Sequence, residues 1–416
     1  MYRTIKTYSK MLLPAIYAAI YYSICSCGGP VEVRPYYSEG QDLQEGQQSS
    51  GEEEAVPRKT RYVTGVEYPE GYDWKPDIGY GADGAVLFLM EGEERVLELP
   101  IGYDNAVSAD ADMHRCINGH LYTDFSTDQE TIVKRDGVEL FRYFGREMIV
   151  SMAERPDGIY TLGKPRAGTG WTYRKNGGII LYKGVGNILH GFHSDSGQIC
   201  FSYMDIIESV SGSIVIYYIV RDGVPESIGA TDIVTRIDDA ISIDGESVYL
   251  AELDRGDGYA LFYGSDGHGL ELPPGGGSIS GCRFLTETGD LFVSGYVAGN
   301  TGGGDSFWNG TSYICSSGTA YKVYGRSIDN GKCYYAAREP FNGSTVRIFA
   351  DGETRQLAPS YELIYGAAFT AYRGSCCAAI ADRNNNNRPM LWTDGELKDY
   401  DFNGVFTSIS YWRKPR

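Results

Sequence analysis

The stretch Tyr218 to Gly223, YIVRDG, is one of eight near-copies of the same short phrase. Its counterparts are VLFLMEG at 86–92, IVKRDG at 132–137, TYRKNG at 172–177, YGSDG at 263–267, SFWNG at 306–310, RIFADG at 347–352 and LWTDG at 391–395. Each pairs an apolar strand with a tight turn and a second strand, and the closing glycines follow one another at steps of 40 to 46 residues. Asp-Gly and Asn-Gly supply the positive φ that a two-residue hairpin needs. One such hairpin cannot bury its faces alone, so a period near 43 residues implies blades stacked side by side, an all-β propeller.

A second element lies between these hairpins: NGHLYTD, DGIYTLG, SGQICFS, DGESVYLAE, GDLFVSG, GKCYYAA and GSCCAAI, each a strand after a glycine turn. Ahead of it comes a more apolar or small-residue segment, such as IVSMAE, AISI, SISGCRF or GAAFTAY. The unit is therefore an innermost strand a, a turn, strand b, a variable loop, strand c, the Asp-Gly turn, and strand d. The two ends of the repeat region complement one another. GVFTSISYW at 404–412 reads as strand a with nothing behind it, whereas RYVTGVEY at 61–68 reads as b, followed by AVLFLM and RVLEL as c and d. The expectation is a single propeller of eight four-stranded blades, or seven if one hairpin is an embellishment, closed by the C-terminal inner strand joining the N-terminal strands. Closure of this kind leaves no free sheet edge.

Residues 1–57 lie outside that period. Arg3, Lys6 and Lys10 precede an apolar run from Met11 to Ile24, and small residues then surround Cys25 and Cys27. This is the order of a secretory signal, too short for a comfortable membrane span. Ile24, Ser26 and Cys27 resemble the lipobox of bacterial lipoproteins. The resemblance implies a signal peptide over 1–26, lipidation at Cys27, and, with no Asp after Cys27, an outer-membrane lipoprotein facing the periplasm or the cell surface. At the level of architecture the whole chain resembles bacterial lipoproteins with a propeller ectodomain. Residues 27–57 hold Gly, Ser, Gln and three successive Glu, cannot form a core, and read as a flexible acidic tether. A coil of that length spans on the order of 30 Å. The formal charge is −18, which excludes nucleic acid as a partner by simple repulsion.

Tight c-d turns leave the longer b-c connections as the face for a ligand. Tyr68, Tyr72, Trp74 and Tyr80 crowd the longest of these. Asp254, Arg255, Asp257, Arg338 and Asn342 sit in others. Aromatic rings there suit sugar stacking or a protein partner. Asp382, Asn384 and Asn386 alternate as calcium ligands do, but Asn387 stands where Gly is wanted and no Glu closes the loop, so no cofactor is expected beyond this incomplete Ca2+ pattern. The cysteines show no metal spacing, and Cys376-Cys377 in a strand would need a strained peptide to bridge, so both read as small buried residues. His190 and His193, three apart in a strand, are expected to leave opposite faces and not to act together. His114 and Cys116, by contrast, share a face and keep a transition-metal site open. No nucleophile elbow, Walker loop, dinucleotide fingerprint, sialidase Asp-box or quinoprotein tryptophan repeat is present. The expectation is a monomeric, lipid-anchored envelope propeller that binds a glycan or an envelope protein, or scaffolds. The competing expectation is a carbohydrate-active or other hydrolytic enzyme working at the channel mouth.

Overall fold

The structure is a computed structural model. It describes residues 59–72, 84–101, 114–127, 129–166, 168–209, 212–228, 234–254, 259–265, 268–272, 279–285, 291–297, 306–308, 313–316, 322–329, 332–338, 346–350, 353–358, 361–362 and 368–412. Among the described residues the regular elements are strands, apart from a short 3-10 turn at Arg383–Asn385. They form antiparallel sheets that follow one another along the chain.

The first sheet joins the two ends: Gly404–Trp412 pairs with Thr60–Glu67, followed outward by Val86–Glu91 and Glu94–Pro100. The second runs His114–Ile117, His120–Ser126, Glu130–Arg135 and Val138–Phe144. The third runs Glu147–Arg155, Gly158–Pro165, Trp171–Lys175 and Gly178–Lys183. The fourth takes Asn187–Asp195, Gln198–Ser209, Gly212–Arg221 and Val224–Ile228, and the fifth takes Val234–Ile243, Glu246–Asp254, Tyr259–Ser265 and His268–Leu272. Two hairpins follow, Ile279–Leu285 with Leu291–Val297 and Ser306–Trp308 with Tyr313–Ser316. Next comes a four-stranded sheet over Lys322–Gln356, and then one that starts at Tyr361 and ends at Asp399. In each four-stranded sheet the first strand packs against that of a neighbouring sheet, as Asn187–Asp195 does against both Glu147–Arg155 and Val234–Ile243. The a-b-c-d order expected from the repeat is thus the observed order.

The hairpin turns do more than supply positive φ. Asp136, Asn176, Asp222 and Asp394 stand at φ of 45° to 51°, each followed by a glycine also at positive φ. Their side chains then reach sideways to strand b of their own sheet. Oδ1 accepts from the backbone N–H of Leu121 at 2.8 Å, Ile159 at 2.8 Å, Ile199 at 3.0 Å and Cys376 at 2.8 Å respectively. The same four turn residues donate their own N–H to the carbonyl of that partner. A turn residue thus replaces the ladder bonds that strand b would lose at its end, which is why the position holds Asp or Asn and not merely any residue tolerant of the left-handed region.

The core lies between sheets. Trp171, Tyr173, Phe201 and Tyr203 are fully buried between the third and fourth, with Trp171 4.5 Å from Tyr203 and 5.3 Å from Phe201. Phe88, Phe406, Leu391 and Ala379 fill the space between the first and last sheets. Cys376 and Cys377 are free thiols buried on opposite faces of Ser375–Asp382, one packed with Trp392 and Phe369, the other with Val63 and Phe88.

Candidate functional site

A group of titratable side chains, His190, His193, Asp195, Arg221 and Asp239, lies where the fourth sheet meets the fifth. Strand Asn187–Asp195 does not keep a regular pleat. Its register against Gln198–Ser209 shifts between Ile188 and His190 and again between His190 and His193. Each bulge adds a residue and turns the following side chain. The simple alternation that would separate the two histidines is lost, and their rings stand edge to face with centroids 5.3 Å apart. The expectation that they leave opposite faces is therefore corrected, the cause being the two bulges.

Val234–Ile243 is bulged in turn between Ile237 and Asp239, and this brings Asp239 to His190. The His190 Nδ1 lies 2.9 Å from Oδ1 and 3.2 Å from Oδ2 of Asp239, whose side chain is only 5% exposed and is also held by the Ala240 N–H at 2.9 Å. With Nδ1 directed at the carboxylate, Nε2 of His190 has no partner among the described residues. The imidazole is 19% exposed, so that nitrogen is reachable.

Behind it the cluster is closed. His193 is 1% exposed, and its Nε2 accepts from the backbone N–H of Ser242 at 3.0 Å, so its proton sits on Nδ1. Burial, and then the neighbouring His190, hold its pKa down to about 3, which keeps it neutral. Ser242 Oγ donates to Asp195 Oδ2 and accepts from Arg221 Nε at 2.9 Å. Burial pushes the Asp195 carboxyl up, but the bonds from Ser242 and from the Gly245 N–H outweigh it and hold it low. Ser242 is thus bound to a carboxylate and not to an imidazole, so the serine is structural. The arrangement leaves one oriented, partly exposed imidazole, that of His190.

The residues singled out on the connection face fare differently. Tyr68 is buried, stacked on Tyr72 with centroids 5.1 Å apart, and the Asn403 side-chain amide ties down the Pro69 and Tyr72 carbonyls at 3.0 Å each. An aromatic shelf at this pair is corrected to a plug over the first sheet, because its rings complete the core there. Trp74, Tyr80, Arg255, Asp257, Asn342 and the lipid-site Cys27 lie outside the described residues, while Asp254 and Arg338 end the strands Glu246–Asp254 and Lys332–Arg338. Asp382 turns its Oδ1 onto the Asn384 N–H at 3.1 Å and caps the 3-10 turn, with Asn386 left-handed at φ 51°. Among the described residues no three His, Cys, Asp or Glu side chains gather around one point. Cys116 faces the core beside Leu121, where burial pushes its thiol up to about 12. Sequence patterns missed Asp239, since an acid inside an inner strand looks like any other until the bulge places it.

No family model matches this sequence, and no curated protein matches it. Solved structures do. The chain is similar to an acylaminoacyl peptidase of Pyrococcus horikoshii at 14% identity and TM-score 0.41, over 68% of this chain and 51% of that one. It is similar to the β-propeller domain of the Trilobed protease of Pyrococcus furiosus, at 13% identity and TM-score 0.41, over 78% and 93%. A third match is dipeptidyl peptidase 4 of Porphyromonas gingivalis, at 13% identity and TM-score 0.42, over 76% and 59%. The chain spans about half the length of the acylaminoacyl peptidases it matches. The strand order, successive four-stranded antiparallel sheets along the chain, is that of a β-propeller. The expected binding or scaffold role is corrected only to this extent: the three proteins named here are peptidases, on the side of the hydrolytic alternative. At such identity the likeness conveys the fold and no activity.

Proposed function

We propose that this chain is a hydrolytic enzyme of the cell envelope, a lipid-anchored propeller whose reacting group is His190, oriented by Asp239 at the inner strands. One observation carries the reading: a half-buried imidazole with Nδ1 fixed on a buried carboxylate and Nε2 left open, at the junction of two innermost strands. Asp239 holds the tautomer and stabilises the imidazolium that forms when Nε2 takes a proton. That proton comes from a water whose oxygen bonds to the electrophilic carbon of the substrate, and it passes on to the leaving group as the scissile bond breaks.

The ring around this site is an eight-bladed propeller in our reading. The pairing of Gly404–Trp412 with Thr60–Glu67 supports closure, and the period of the hairpins supports the count. The residues around Cys27 support a lipoprotein of the outer membrane, the tether over 27–57 holding the propeller clear of the bilayer. Mass spectrometry of the native protein should find Cys27 acylated at a new N-terminus, and an intact Met1 would refute that part.

The activity is tested by presenting the full chain with peptide, ester and glycoside substrates and comparing it with His190→Ala and Asp239→Asn. Loss of about 10²- to 10⁴-fold in kcat with little change in KM is expected for a positioned base. Hydrolysis that survives His190→Ala would refute the assignment.

A further inference from the structure

We infer that the outer end of the third sheet is a docking face for an anionic lipid bilayer. Between Gly158 and Ser194 the chain has no Asp or Glu at all, although the whole protein has 55 and a net charge of −18. The fold gathers the exposed cations of this stretch at one end of the sheet. Lys164 pairs in register with Met148, and Arg166 donates its N–H to the carbonyl of Arg146 at 3.3 Å, so three exposed cationic side chains share the corner where the second sheet passes to the third.

The acids near that corner are occupied. Glu147 is held by Arg174 at 2.8 Å, Glu130 by Arg142 at 3.0 Å and Asp205 by Lys183 at 2.7 Å. Lys164 and Arg166 therefore add positive charge that none of these three acids meets, on an acidic protein.

Exposed apolar side chains stand at the same end. Phe144, two residues before Arg146, is 85% exposed, and Tyr182 and Val185 are 62% and 46% exposed on the outer strand and the connection after it. Gly170 donates to the Gly186 carbonyl at 3.2 Å, and Trp171 pairs with Lys183, so both connections end at one level. Four strands place the two groups within about 14 Å. Aromatic and aliphatic tips flanked by Lys and Arg are the composition of a membrane-interfacial surface: rings enter the headgroup region while cations meet phosphate. Isologous pairing of this face with that of a second copy would set its cations against their own counterparts, which argues against a dimer through it. The inference shares the envelope setting of the proposed function but not its acyl anchor.

The test uses the full chain carrying Cys27→Ser, so that no acyl group holds it, with vesicles of phosphatidylcholine with and without phosphatidylglycerol. Replacing Phe144→Trp should give a blue-shifted emission on adding the anionic vesicles and none with phosphatidylcholine alone. Lys164→Gln with Arg166→Gln should weaken the salt-sensitive partition about 30-fold, roughly fivefold per cation, while Lys398→Gln, on a different sheet, should not. No emission change with anionic vesicles, or equal loss in all these variants, would overturn the inference. So would concentration-dependent dimerisation that Lys164→Gln with Arg166→Gln abolishes without vesicle binding. Cys27 acylation is read separately by mass spectrometry, so failure of either reading is distinguishable from failure of the other.

Discussion

Two junctions between neighbouring sheets bury charge, and they do it in opposite ways. Between the second and third sheets each charge is met by its opposite. Arg115 bonds Asp124 at 3.1 Å and the Ile149 carbonyl at 2.6 Å, while Arg174 bonds both oxygens of Glu147 and stacks over the Tyr143 ring at 3.9 Å. Between the fourth and fifth sheets the set is not completed: the buried Nδ1 of His193 has no hydrogen-bond partner, and the second nitrogen of His190 has none among the described residues. The first junction is a lock. The second has similar burial with ring nitrogens of both histidines left over, one buried and one on the partly exposed ring.

The largest way to break this contrast is at His190 itself, where His190→Ala should remove hydrolysis and, by taking the Nδ1 partner from the buried Asp239 carboxylate, also lower the melting temperature, whereas Asp239→Asn should lower hydrolysis with a smaller loss of stability. Acid attacks the same junction through its neighbour. The pKa of His193 is lowered from 6.5 to about 3, so its contribution to stability is fully present above pH 6.5 and is lost as the pH falls towards 3. At 1.36 kcal/mol per unit that amounts to about 5 kcal/mol. A thermal melt series from pH 7 to 4 should show the loss, and His193→Gln should flatten it; an unchanged slope would argue against the buried neutral ring.

In the lock, Arg174→Leu alone should cost about 3–5 kcal/mol by leaving Glu147 charged and buried without its cation. Adding Glu147→Leu to Arg174→Leu should recover much of that in denaturant unfolding.

Asp124 runs the other way from His193. Burial, partly offset by Arg115, raises its pKa from 3.8 to about 6. Its contribution is fully present below pH 3.8 and is lost as the pH rises through 6, roughly 3 kcal/mol in all. Acidification should thus ease this junction while it weakens the other. Hydrogen exchange in the two inner strands, Glu147–Arg155 and Val234–Ile243, should separate the two responses. The smallest effect is expected at Gly163, where a Cβ would stand 2.6 Å from Glu147 Oε2. Gly163→Ala should push the carboxylate aside and cost about 1–3 kcal/mol, read as a shift in the unfolding midpoint.

The strands were legible because their signals are local. Asp-Gly after an apolar pair states a turn, alternation states a strand, and the unpaired ends GVFTSISYW and RYVTGVEY state their own partnership. The double bond from Asp136, Asn176, Asp222 and Asp394 to strand b was not legible. It joins residues 15 to 23 apart whose proximity exists only once the sheet is formed. The stack of Tyr68 on Tyr72 was not legible for a similar reason: an aromatic loop residue has the same letter whether it faces solvent or plugs a core.

By itself the sequence determined the repeat, the strand order within each sheet and the pairing of the first sheet's two halves, because hairpin geometry depends on neighbours in the chain. Only the tertiary structure decided that His190 meets Asp239, 49 residues away. Two bulges override the two-residue period there, and their effect on where a side chain points is set by the adjoining sheet.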